Sequence, residues 1–368
     1  MKYSFSAFLL GLICCLLPFH ADTSALRGFN TNAFLYNFPG QKFTEEYLDT
    51  LNKLSPQILR FPGGTIANKY HFSKSGYGQN SNFDKMTDQN YIVEFCRLVK
   101  SMDRPPQVLF VVNMFEHFYK PTRSDWDLLV ENLAAILYLK KQGIKIVGVE
   151  LGNEFYLYPV IRGWNIKISK ETIVRLKQDS DDSWWPVTFK KYNRLAKLYQ
   201  AAIQKIDPNI SIGIPMGSST NKNHRKWNAF AAQMTFTDAY VQHWYGQLGN
   251  AKTEQAALKQ FDIFTKRVQK NITQLQQTHK QIWITEWNGI DFGFKNDRNT
   301  RWKQSPLHVQ LNQRLQQLFD QLGVKITVYH RISSGKEGNT YNLINVDRGH
   351  ISVNKTYWEF LKPPLKNN

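Results

Sequence analysis

The sequence predicts a single-domain α/β fold, a (β/α)8 barrel. Short β-branched or apolar runs alternate with amphipathic helical stripes eight times between Leu26 and Leu361. Strands that alternate with helices imply a parallel sheet. No nucleotide-binding glycine fingerprint follows the first run, and eight repeats suit closure into a barrel better than an open doubly wound sheet. With 368 residues, 42% of them hydrophobic, the chain can fill one such barrel and its helical shell.

Each repeat is legible in order. Leu26 to Phe34 reads as the first strand. Thr44 caps a helix that places Tyr47, Leu48, Leu51 and Leu54 on one face. Ile58 to Phe61 is the second strand, and a helix from about Asp88 carries Tyr91, Ile92, Phe95, Leu98 and Val99. Val108 to Val112 is the third strand, followed by a helix capped by Ser124 and stopped at Gly143. Ile146 to Leu151 is the fourth, followed by a long loop and a helix from Val187 to Ile206. Ile210 to Ile214, Ala239 to His243, Ile282 to Thr285 and Val324 to Tyr329 complete the set, with helices near 254–279, 306–322 and 357–361.

Residues 1–21 read as an export leader, with Lys2 ahead of an apolar run from Phe8 to Phe19 and a small residue at Ala21. That run is short for a membrane span, so the mature 22–368 chain is expected to be secreted or periplasmic and free of the membrane. Cys14 and Cys15 fall in the leader, which leaves Cys96 alone and rules out an internal disulfide framework in the mature chain. The net charge of +18, one unit less without Lys2, favours anionic partners. Basic residues are not spread along one helix face, so nucleic acid is not expected. No cofactor or metal is expected, and the acidic DSDDS run (179–183) reads as a solvated loop.

Reactive groups of such barrels sit where strands end and the following loops begin. The strand ends here hold Arg60, Asn113, Asn153, Glu154, His243, Trp244, Tyr245, Glu286, Trp287, His330 and Arg331. Glu154 and Glu286 end strands four and seven, which face each other across a barrel. Two carboxylates about 5 Å apart on either side of a glycosidic bond suit hydrolysis with retention of configuration. Glu150, deeper in strand four, reads as a residue paired within the barrel.

GVELGNEFY (148–156) and WITEWNG (283–289) resemble the acid/base and nucleophile segments of the large clan of retaining (β/α)8 glycosidases. LRFPGGTIANKYHF (59–72) is similar to the second-strand segment of α-L-arabinofuranosidases, and VELGNE to the matching piece of heparanase-like β-glucuronidases. QHWYG (242–246) adds the expected aromatic pair on strand six. The resemblance implies Glu154 as acid/base and Glu286 as nucleophile. It also implies that Asn153 binds the sugar 2-hydroxyl, and that Tyr245 and Arg60 keep Glu286 ionised and oriented. Those families carry a β-sandwich beside the barrel; the expectation for this chain is a barrel without one.

The placement of charge directs the expected substrate. Loop five holds Lys222, His224, Arg225, Lys226 and Trp227, and loop seven holds Lys295, Arg298, Arg301, Trp302 and Lys303. His330, Arg331 and Lys336 follow strand eight. Basic groups interleaved with Trp around a cleft suit an anionic polysaccharide or oligosaccharide, sulfated or rich in uronic acid. A neutral hemicellulose and a barrel that binds glycans without cleaving them remain the alternatives.

Overall fold

The computed structural model describes residues 25–31, 38, 42–72, 76–77, 91–118, 124–157, 184–219, 221–248, 251–290, 302, 304–335 and 342–361. Eight parallel strands close into a barrel: β1 (Leu26–Asn30), β2 (Ile58–Phe61), β3 (Gln107–Val111), β4 (Ile146–Glu150), β5 (Ser211–Pro215), β6 (Ala239–Tyr245), β7 (Gln281–Asn288) and β8 (Ile326–Tyr329). Sequence neighbours are neighbours in the barrel, and β8 closes on β1 with Leu26 opposite Ile326. The helices that follow each strand are α1 (Glu45–Leu54), α2 (Tyr91–Ser101), α3 (Asp125–Lys141), α4 (Trp184–Ile206), α5 (Lys222–Ala231), α6 (Glu254–Gln276), α7 (Pro306–Gln321) and α8 (Lys355–Phe360).

The local signals explain these boundaries. Thr44 accepts from the Tyr47 amide at the start of α1. Ser124 and Asp127 form a reciprocal capping box on α3, and Gly143, at φ +77°, ends that turn. Three features depart from the sequence reading. The first strand stops at Asn30, and the segment expected as loop five folds as helix α5. Between β8 and α8 lies a small sheet of β9 (Ser333–Gly335), β10 (Ile344–Asp347) and β11 (His350–Val353). Its hairpin turns at Arg348 and Gly349, both at positive φ, which matches the twist of the flanking strands. The proposed leader, the DSDDS run and Arg301 lie outside the described residues.

The barrel interior has an apolar floor built from Ile58, Leu109, Ala239, Val241, Trp283, Ile326 and Val328. Trp283 spans the lumen from β7 towards β4 and β5, and two glycines make room for it. A Cβ on Gly148 would stand 2.5 Å from the indole and one on Gly213 2.6 Å, so neither position accepts a side chain. Above this layer the inward residues turn polar. A second, larger cluster fills the space between strands and helices. Cys96 lies buried within it on α2, and burial pushes its thiol up to about 12, which keeps it protonated and unreactive.

One ionic cluster ties three elements together beside the mouth. His71, after β2, lies between Glu116, which follows β3, and Glu131 of α3, at 2.6 and 3.0 Å. Burial alone would lower its pKa, but the hydrogen bonds it donates to both carboxylates reverse this and raise it to about 9. The folded value exceeds the unfolded one. Its contribution to stability is therefore complete below about pH 6.5 and lost as pH rises through about 9. Urea unfolding of wild type should show this decline, on the order of 3 kcal/mol at most. His71→Gln should be less stable at pH 6 and lose little further stability between pH 7 and 9; an unchanged slope would remove His71 from the account.

Candidate active site

Arg60 of β2 occupies the centre of the polar layer, with no exposed surface. Its Nε and Nη2 donate to the two oxygens of Glu150 at 2.8 and 2.7 Å, a fork-to-fork pair within the barrel. Nη2 also donates to Asn153 Oδ1 at 2.9 Å, and Nη1 to Glu286 Oε1 at 2.6 Å. One guanidinium thus fixes residues from β4, the turn after β4 and β7. Because Arg60 only donates, it sets the Asn153 amide with its oxygen inward, so the amide NH2 is turned away from Arg60.

Glu286 is held from several sides. Tyr245 of β6 donates to Oε2 at 2.6 Å, and Asn30 at the end of β1 donates to Oε1 at 3.3 Å. Burial would raise the carboxyl pKa. The His243 imidazole, the Arg60 guanidinium and the Tyr245 hydroxyl outweigh it and hold Glu286 well below the usual carboxylate range. His330 itself is lowered to about 3, chiefly by burial, so it is neutral near pH 7 and Arg60 is the permanent cation. Asn30 Nδ2 stands 3.0 Å from His330 Nδ1; an amide that donates there requires a bare Nδ1.

Glu154 lies across the lumen, at φ +48° in the turn after β4, with its side chain one-fifth exposed. Its Oε1 accepts from the Tyr156 hydroxyl at 3.0 Å and lies 3.0 Å from His243 Nδ1. The other His243 nitrogen meets Thr285 Oγ1 at 3.1 Å. Burial would lower the His243 pKa, but Glu286 and Glu154 outweigh burial and raise it. One oxygen of Glu154, one of Glu286 and a ring nitrogen of His243 all lie within 4.8 Å of one another. Among the described residues this is the group with the spacing to share a metal ion. Glu286, however, already accepts from Arg60, Tyr245 and Asn30, and the raised pKa favours a proton on His243 where a metal would need a bare nitrogen.

Glu286 faces inward because β7 carries an extra residue. Opposite β6 the register runs Gln242 to Ile284 and then His243 to Glu286, so Thr285 forms a bulge. Trp283 and Glu286 both reach the lumen, although strict alternation would turn Glu286 out.

The same geometry gives four of the expected substrate contacts packing partners of their own. Trp287 and Trp244 follow inward residues by one position and therefore face the helices, against Phe319 and Phe264 respectively. Trp227 is fully buried on the inner side of α5 against Tyr192 and Phe155, with its indole donating to Pro215 O. Asn113 is buried in a network of its own, donating to Tyr70 O and Glu116. Arg225 is exposed on α5 and donates to Ser219 O, and Trp302 packs partly buried with its indole on Ala251 O. Arg331 follows His330, and its Nε donates to Asn342 Oδ1 at 3.4 Å. Burial lowers its pKa, against the pull of Tyr245 and Glu286. Asn30, Tyr156 and Thr285 belong to the site without having been singled out. Tyr156 closes the GNEFY segment and Thr285 precedes Glu286. Asn30 was hidden inside an overlong first strand.

No family model and no curated protein sequence matches the chain. Solved structures share its fold. The α-L-arabinofuranosidase of Thermotoga maritima superimposes at a TM-score of 0.56 and 15% identity, over 92% of this chain and 69% of that one. The family 51 arabinofuranosidase of Xanthomonas axonopodis pv. citri gives 0.57 and 14%, over 91% and 71%. A calcium-binding mutant of Bacteroides uniformis β-glucuronidase 2 gives 0.55 and 12%, over 92% and 34%. The chain therefore has the (β/α)8 fold of these glycoside hydrolases.

Proposed function

We propose that the protein is a glycoside hydrolase that retains anomeric configuration and acts on an anionic saccharide chain. The observation that carries this reading is the pair of carboxylates, with oxygens within 4.8 Å, one buried among donors and the other one-fifth exposed. Glu286 is ionised, buried and aimed, as an attacking nucleophile must be. Glu154 sits at the exposed side of the pair with only Oε1 engaged by Tyr156 and His243. A proton carried on Oε2 would face the leaving oxygen, and the same oxygen would then activate water in the second step. Glu286 attacks the anomeric carbon as Glu154 protonates the departing oxygen, forming a glycosyl ester on Glu286. Water, deprotonated by Glu154, then cleaves that ester. The Asn153 amide NH2, left free of Arg60, would donate to the sugar 2-hydroxyl, where such contacts strengthen in the transition state.

The anionic substrate is supported by the net charge of +18 and by Arg331 beside Glu286 and Tyr245. The apolar run after Lys2 supports export. No described helix is long and apolar enough to cross a membrane.

Three measurements test the reading. Glu286→Ala should lose turnover by several orders of magnitude, and azide should restore part of it with a glycosyl azide of configuration opposite to the wild-type product. Full activity in this variant, or rescue with the wild-type configuration, would overturn the nucleophile assignment. Glu154→Gln should slow substrates with poor leaving groups far more than activated aryl glycosides, because only the former need a proton in the first step. Equal slowing would remove Glu154 as the acid. Arg331→Gln should raise KM for an acidic oligosaccharide more than for its desulfated or carboxyl-reduced form, with the smaller effect on kcat, and wild-type affinity should fall with salt. Indifference to both would leave the neutral hemicellulose reading in its place.

A further inference from the structure

Among the described residues, α3 carries three of the seven exposed large hydrophobic side chains. The helix buries Leu128, Leu129, Ala135, Ile136 and Leu139 against the barrel. Its opposite face nevertheless exposes Trp126 at 67%, Val130 at 45% and Leu137 at 51%. Positions 126, 130, 134 and 137 follow helical spacing, so these side chains form one stripe rather than scattered exceptions. The preceding and following helices each expose one apolar side chain as well, Val93 of α2 at 45% and Leu198 of α4 at 41%. Apolar groups gathered on one side of a strongly charged protein mark a contact surface.

Charge along the stripe indicates the partner. Exposed Asp127 and exposed Lys141 lie seven residues before and seven after Ala134, on the same side of the helix. Two copies of α3 laid antiparallel about a two-fold axis at Ala134 would place Asp127 of each opposite Lys141 of the other. The small side chain at the crossing point permits close approach, and the apolar stripes meet along their length. We propose that this face joins two copies of the chain in a symmetric dimer. An anionic membrane fits less well, because Asp125 and Asp127 flank Trp126. The antiparallel arrangement directs the two barrel mouths to opposite ends and leaves both open to a long substrate.

Sedimentation velocity and light scattering on the full chain test this over a wide concentration range. Wild type should pass from monomer to a species of twice its mass as concentration rises. Val130→Asp and Leu137→Asp should each weaken the dimer by about tenfold or more. Lys141→Glu should also weaken it, and Asp127→Lys combined with Lys141→Glu should restore it, with circular dichroism confirming that each variant is folded. A wild-type monomer at every concentration overturns the proposal. So does a dimer indifferent to Val130→Asp, or one that the double charge reversal fails to restore. Monomeric protein that binds phosphatidylserine vesicles in a Trp126-dependent way assigns the face to a membrane instead.

Discussion

The buried guanidinium of Arg60 is the interaction on which the rest of the site depends. Taking its charge out of water is expensive, and the cost is offset only because two carboxylates and an amide oxygen surround it with short, directed hydrogen bonds. Removing one partner of such a pair commonly costs about 3–5 kcal/mol, so the arrangement is all or nothing. Its effect is geometric as well as energetic. Glu150 of β4, Asn153 of the turn that follows it and Glu286 of β7 are locked to one planar group carried by β2, which gives Glu286 a fixed position.

That centre leaves a charge imbalance. Arg60 contacts both Glu150 and Glu286, two carboxylates for one cation. His243 is the group placed to answer it: although its side chain is almost fully buried, the neighbouring carboxylates raise its affinity for a proton. His330, equally close to Glu286, is pushed the other way by burial and by the cations around it. Two imidazoles beside one carboxylate thus take opposite states. Their surroundings differ in two respects: His243 touches Glu154 directly as well as facing Glu286, whereas His330 lies beside the Arg331 cation.

The barrel separates these demands by depth. Trp283 and the aliphatic layer form a dry floor that contributes stability, and Gly148 and Gly213 give up side chains to admit the indole. The polar layer stands directly on it, in a setting where each charge interaction is strengthened by the poor access of water. Structures with this fold from distant sequences show that the scaffold tolerates wide substitution, as expected if the floor asks only for volume while the mouth asks for particular donors and acceptors.

The sequence by itself determined the alternation of strands and helices, the capped starts of α1 and α3 at Thr44 and Ser124, and the two strand ends that carry Glu154 and Glu286. Periodicity and capping are local, so they can be read without knowing what packs where. Which side chain faces the lumen was decided only by tertiary structure. A bulge at Thr285, visible only against the register of β6, turns Glu286 inward and sends Trp287 into the helical layer. Loop five became a helix because Trp227 could bury against Phe155 and Tyr192, contacts supplied by segments more than thirty residues away in the chain. Asn30 joined the site because β1 ends where Thr31 bonds to Arg60 O, a constraint imposed by the neighbouring strand. Each of these outcomes rests on pairing between distant segments, which a hydrophobic pattern along the chain does not encode.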